Sequence, residues 1–105
     1  MKKKKAKESK PVKTVRREFP VDDELDMHGM AVDEALAAAD QVFKRHKGKP
    51  GTTLRFIHGH SNKGPDSIRT RLRLALDTEW KRRVERTRMD FFNSGATLVE
   101  TTGIG

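Results

Sequence analysis

Two histidines are the residues of this chain best placed to do chemistry. Each closes an apolar run and each precedes a glycine: His28 in Leu25-Asp26-Met27-His28-Gly29, and His58 in Leu54-Arg55-Phe56-Ile57-His58-Gly59. Imidazole is the side chain whose proton exchange falls nearest neutral pH, which suits it to general acid-base work. Asp26 stands two residues before His28, and residues two apart on a strand point to one side, so the carboxylate can orient the ring and raise its basicity. After His58 the chain reads Gly59-His60-Ser61-Asn62-Lys63-Gly64 before a helical pattern begins. A loop joining a strand end to a helix start offers backbone N–H groups and a helix dipole to a phosphate. Lys63, Arg69 and Arg73 supply positive charge beside it.

The same side chains allow a metal reading, because Asp26, His28, His58 and His60 carry oxygen and nitrogen donors. A single glycine separates His58 from His60, and no second carboxylate falls at a recognisable ligand spacing. The sequence therefore points to acid-base and phosphate-contacting roles, with no cofactor required and a divalent metal as the alternative. His46 lies near the end of a helix, where it can face the dipole, and reads as structural.

These residues work together only if both strand ends meet. A helix-patterned stretch of ordinary crossover length separates them, and a strand-helix-strand unit with parallel strands leaves both at one edge of the sheet. The helix is marked by Val32, Leu36, Ala39 and Phe43 on one stripe, widened by Ala35 and Val42, with Asp33, Asp40 and Lys44 expected to face away. It should end before Gly48. A second helix, capped by Asp66 or Ser67, turns Ile68, Leu72, Ala75, Leu76 and Trp80 inward. Two strand-like segments, 87–92 and 96–101, then flank Asn93-Ser94-Gly95 as a hairpin. The order βαβαββ predicts an α/β two-layer sandwich of about four strands with both helices on one face.

Composition narrows the partner. The chain has 105 residues and a net charge of +8, concentrated at its start: residues 1–18 carry seven lysines and two arginines against two glutamates. Residues 1–20 read as a basic arm and residues 21–105 as the domain. The domain is itself polarised, with seven acids and no lysine or arginine from Phe19 to Phe43, and nine bases against four acids from Lys63 to Arg88. A polybasic arm favours phosphate polymers through counterion release. No cysteine is present, which excludes thiolate metal sites and cysteine nucleophiles. No run is apolar enough to cross a membrane, and a cytoplasmic protein is the default expectation.

Leu-Asp-Met-His-Gly, the following Val-Asp-Glu-Ala-Leu helix, Phe-Ile-His-Gly with its polar loop, the basic helix and the final Gly-Ala-Thr-Leu-Val-Glu strand together resemble the small MutS-related (Smr) domain. The resemblance runs in order from about Glu24 to Thr101. It implies a fold similar to the C-terminal domain of translation initiation factor three, and an endonuclease that cleaves RNA or nicks DNA. It carries Asp26, His28, His58 and Gly59 over as site residues. In the family's His-Gly-x-Gly-x-Gly loop, Ser61 and Lys63 stand here in place of glycines and Gly64 comes one position late. The alternative reading is a non-catalytic module of the same fold that binds nucleic acid or the ribosome. RNA is slightly favoured over DNA, because its 2′-hydroxyl is a built-in nucleophile while DNA needs an activated water, usually supplied by a metal.

Deleting residues 1–18 tests the arm. Nucleic-acid binding should weaken, and the log-log salt slope should fall by about 0.7 to 0.9 per lost phosphate contact. An unchanged slope, measured by salt titration of binding, would assign the arm no phosphate contacts.

Overall fold

A computed structural model describes residues 21–59, 64, 66–90 and 95–105. The arm and the loop residues His60, Ser61, Asn62 and Lys63 lie outside them. The elements are β1 (Asp23–Asp26), α1 (Val32–Arg45), β2 (Thr53–Ile57), α2 (Ile68–Asp77), a 3-10 turn (Lys81–Arg83), β3 (Val84–Met89) and β4 (Ala96–Thr101). The sheet order is β1-β2-β4-β3, with β1 parallel to β2 and the other two pairs antiparallel. This is the expected α/β two-layer sandwich of four strands and two helices.

Period-two alternation decides which strand residues enter the core. Leu54 and Phe56 of β2, Val99 of β4 and Met27 just after β1 are buried with Ala35, Ala39, Val42 and Phe43 of α1 and Leu72, Ala75 and Leu76 of α2. Both helices thus cover one face. Phe43 packs its ring 5.7 Å from Phe56 and 5.5 Å from Trp80, centroid to centroid. Burying one such side chain is worth roughly 1.5–3 kcal/mol. Charge helps α1 at both ends, with Asp33 and Glu34 in its first turn and Lys44 and Arg45 in its last. Gly48, at φ +84°, then lets the chain turn away.

Asp40 departs from expectation. It does not face away but accepts a 2.6 Å bond from Arg83, whose guanidinium also lies 5.4 Å from the Phe43 ring and 5.8 Å from Trp80. The hydrogen bond from Arg83 holds the Asp40 carboxyl below its ordinary value. The 3-10 turn is thereby pinned to α1, and the last hairpin begins earlier than the pattern suggested. β3 starts at Val84, not Thr87, and ends at Met89. As an edge strand it carries Glu85, Arg86 and Arg88, so its apolar alternation is interrupted by charge that suits an edge. A register shift lies between Val84 and Arg86. Phe91 and Phe92 fall outside the described residues.

The face without helices has its own polar network. Arg55 and Asp90 are 5% and 1% exposed, and Arg55 donates from Nε to Asp90 at 3.0 Å and from an Nη to Glu24 at 3.0 Å. A buried guanidinium needs such partners, since removing one leaves an uncompensated charge. The network ties β1 and β2 to the end of β3, two residues from Asp26.

At the opposite end of β1, Asp23 takes bonds of 2.8 Å each from Arg45 and His46, so His46 is structural as expected. Partial burial alone would raise the Asp23 carboxyl, but hydrogen bonds from His46, Arg45 and the Glu24 N–H outweigh it and lower the pKa to about 2. A depressed carboxyl stabilises the fold above its unfolded value of 3.8, and that contribution fades as pH falls toward 2. Asp23→Asn should therefore cost about 1–2 kcal/mol at pH 7. Thermal unfolding of the two proteins should converge between pH 4 and 2. A constant difference over that range would show that the carboxylate charge is not what stabilises the clamp.

Candidate active site

β1 and β2 pair in register, Leu25 with Phe56 and Asp26 with Ile57. The ladder continues one step beyond β1, where the Met27 N–H donates to the Ile57 carbonyl at 2.7 Å. Both His-Gly sequences therefore leave the sheet at one rim. Their closest approach is marked by glycine: a Cβ built on Gly59 would lie 3.3 Å from the His28 Cβ, and Gly59 sits at φ +90°. Only glycine holds that conformation without strain.

Asp26 and His28 form the exposed pair of the rim. The His28 Nδ1–H donates to Asp26 Oδ1 at 2.5 Å, and the His28 backbone N–H donates to the same oxygen at 3.1 Å. With Nδ1 committed, Nε2 is the nitrogen presented outward, and in the neutral ring it is an acceptor. The side chains are 68% and 49% exposed, so a substrate can reach them. The hydrogen bond that His28 donates to Asp26, reinforced by the carboxylate charge, raises the His28 pKa above its ordinary 6.5. Reciprocally, the ring and backbone bonds from His28 lower Asp26.

His58 is placed differently. It is 4% exposed, its Nδ1 lies 2.9 Å from the Gly59 carbonyl, and its Nε2 lies 3.0 Å from Thr97 Oγ1. A carbonyl only accepts, so Nδ1 carries the proton and the Thr97 hydroxyl donates to Nε2. The His58 and Gly59 N–H groups both donate to the Gly95 carbonyl, at 2.8 and 2.9 Å. These bonds fix the backbone against which His28 rests. Sequence reasoning missed Thr97, although its place two residues before buried Val99 puts a hydroxyl on the helix-facing side, where it must find a partner.

Beyond the loop, Gly64 is exposed at φ +82°, and its carbonyl accepts from the Thr70 hydroxyl. Ser67, one of the two expected caps, accepts from the Thr70 N–H at 3.1 Å. Arg69 and Arg73 follow one turn apart on α2. Among the described residues no group of three histidines or acids gathers as a metal centre.

A two-layer α/β domain with a carboxylate-oriented histidine at the rim of a parallel strand pair defines the class. The Smr domain model matches residues 25–102, and the chain belongs to that family. Membership carries an association with nucleic acid, through binding or nuclease-type function. Comparison with curated proteins finds no match. No helix among the described residues is long and apolar enough to cross a membrane.

Gly59→Ala tests the rim geometry. Positive φ and the His28 contact should together cost about 1–2 kcal/mol and push His28 off Asp26. The His28 pKa, followed by NMR titration, should fall toward its ordinary value in this variant and in Asp26→Asn. A pKa unmoved in both would show that the Asp26 bond does not govern the ring.

Proposed function

We propose that this chain is a nucleic-acid phosphodiesterase acting on RNA, with His28 as general base and Asp26 as its positioning residue. The observation that carries the reading is the 2.5 Å bond from His28 Nδ1 to Asp26, which leaves Nε2 outward at an open rim. In the reaction, His28 Nε2 takes the proton of the 2′-hydroxyl. The 2′-oxygen attacks the adjacent phosphorus, the bond to the 5′-oxygen breaks, and that oxygen leaves protonated by solvent. The products are a 2′,3′-cyclic phosphate and a 5′-hydroxyl. Asp26 keeps the ring in the required tautomer and strengthens it as a base.

His58 takes a positioning role here in place of the acid-base role expected of it. Its ring is buried between Thr97 and Gly59, and what it controls is the Gly59 backbone beside His28. The family association with nucleic acid supports the substrate class, and the basic flank of the chain supports the approach of a polyanion.

His28→Ala should lower RNA cleavage by roughly 10²- to 10⁴-fold while binding changes little. Cleavage should persist in a chelator and leave 5′-hydroxyl ends. Products with 5′-phosphates, together with loss of activity in chelator, would replace this mechanism with a metal-activated water. Binding without any cleavage would favour the non-catalytic reading, for which the substitutions at Ser61 and Lys63 are the sequence argument.

A further inference from the structure

Between α2 and β3 lies a cleft of about 320 Å³, lined by Arg73, Leu76, Asp77, Thr87, Arg88 and Met89. That volume falls at the lower end of the range for small-ligand sites. Three features distinguish it from an ordinary surface furrow. Among the described residues, the buried Nε of Arg73 on the cleft wall has no hydrogen-bond partner, nor has that of Arg69 one turn earlier on α2, although buried polar groups are normally satisfied. Burial and the neighbouring Arg69 charge both work against the protonated form of Arg73, with only Asp77 favouring it. The third feature is Met89, which is 54% exposed on the cleft wall beside the buried Leu76. Unsatisfied cationic nitrogens next to an apolar wall suit a ligand with one anionic and one flat apolar part.

The cleft is also in line with the rim. Leu25, the neighbour of Asp26, pairs with Phe56, Phe56 with Thr97, and Thr97 with Met89. Three interstrand spacings separate the ends of that row, or about 14 Å. Charge sets the direction, since the β1 and α1 flank carries Asp22, Glu24, Asp33 and Glu34. A polyanion that meets His28 is repelled on that side and attracted toward α2 and β3.

We propose that the α2–β3 cleft is a second subsite for the same single-stranded nucleic acid, taking one nucleotide several positions from the bond at His28. Its phosphate meets the guanidinium groups of Arg73 and Arg69, and its base lies against Met89 and Leu76. Asp77, at the far end of α2, opposes a second phosphate and confines the cleft to one. This inference rests on the nucleic-acid reading above, and it adds that the substrate must be long enough to reach from rim to cleft.

The test is binding of non-cleavable 2′-O-methyl oligouridylates of increasing length, read by salt titration, beside cleavage of the matching RNA dinucleotide. Arg73→Gln should weaken binding of long oligomers about tenfold and lower the salt slope by about 0.7 to 1. The unfolding temperature should stay at the parental level, and dinucleotide cleavage should fall far less than the binding of long oligomers. Thr87→Asp, which places a negative charge on the exposed cleft wall without touching the arginines, should act in the same direction. Arg82→Gln, equal in charge change to Arg73→Gln but outside the cleft, should not. Parental affinity and slope in both cleft variants would overturn the proposal, as would equal losses on long oligomers and dinucleotide. Dinucleotide cleavage with no gain in affinity from added length would reject the cleft while leaving the function standing. Length-dependent binding through Arg73 without any cleavage would reject the phosphodiesterase and keep the subsite.

Discussion

The parallel register of β1 and β2 is the constraint on which the site depends. Pairing Asp26 with Ile57 carries two strand ends to one rim, and a slip of one residue would send Asp26 and His28 to the opposite side of the sheet. The register is held on both faces. On one side Leu25, Met27, Leu54 and Phe56 enter the shared core. On the other, Arg55 reaches Glu24 on β1 and Asp90 beyond β3. The Gly95 carbonyl, accepting from both His58 and Gly59, then closes β4 against the rim.

The two histidines of the repeated His-Gly phrase divide the work because their surroundings differ. His28 follows a short edge strand, so its ring stands in solvent with one nitrogen held by Asp26. His58 follows a strand flanked on both sides, so its ring is buried and must satisfy both nitrogens internally. In the proposed mechanism one is the base facing substrate and the other a fixture that shapes the backbone. Between them, Gly59 supplies a conformation and a clearance that a side chain would destroy.

Much of this was legible in the sequence, and the gaps have physical causes. The α1 stripe, the inward residues of α2 and the order of elements follow from apolar periodicity, which burial against one sheet imposes. Asp26 and His28 were legible because strand alternation is a local rule. The sheet order was not, since pairing of β4 between β2 and β3 is decided by packing across the whole chain. The start of β3 was hidden by the charges an edge strand carries. The Arg55–Asp90 pair joins residues 35 apart in sequence, and Thr97 gains meaning only when His58 lies beneath the sheet.

The central claim, that His28 acts as a base tuned by Asp26, is tested most directly by the pH dependence of RNA cleavage. A base must be unprotonated, so the rate should climb with pH through the raised pKa of His28 and level off above it. In Asp26→Asn the climb should shift to lower pH, because the carboxylate charge that favours the protonated ring is gone, while the plateau falls. A climb that stays at the same pH in both proteins would contradict the account.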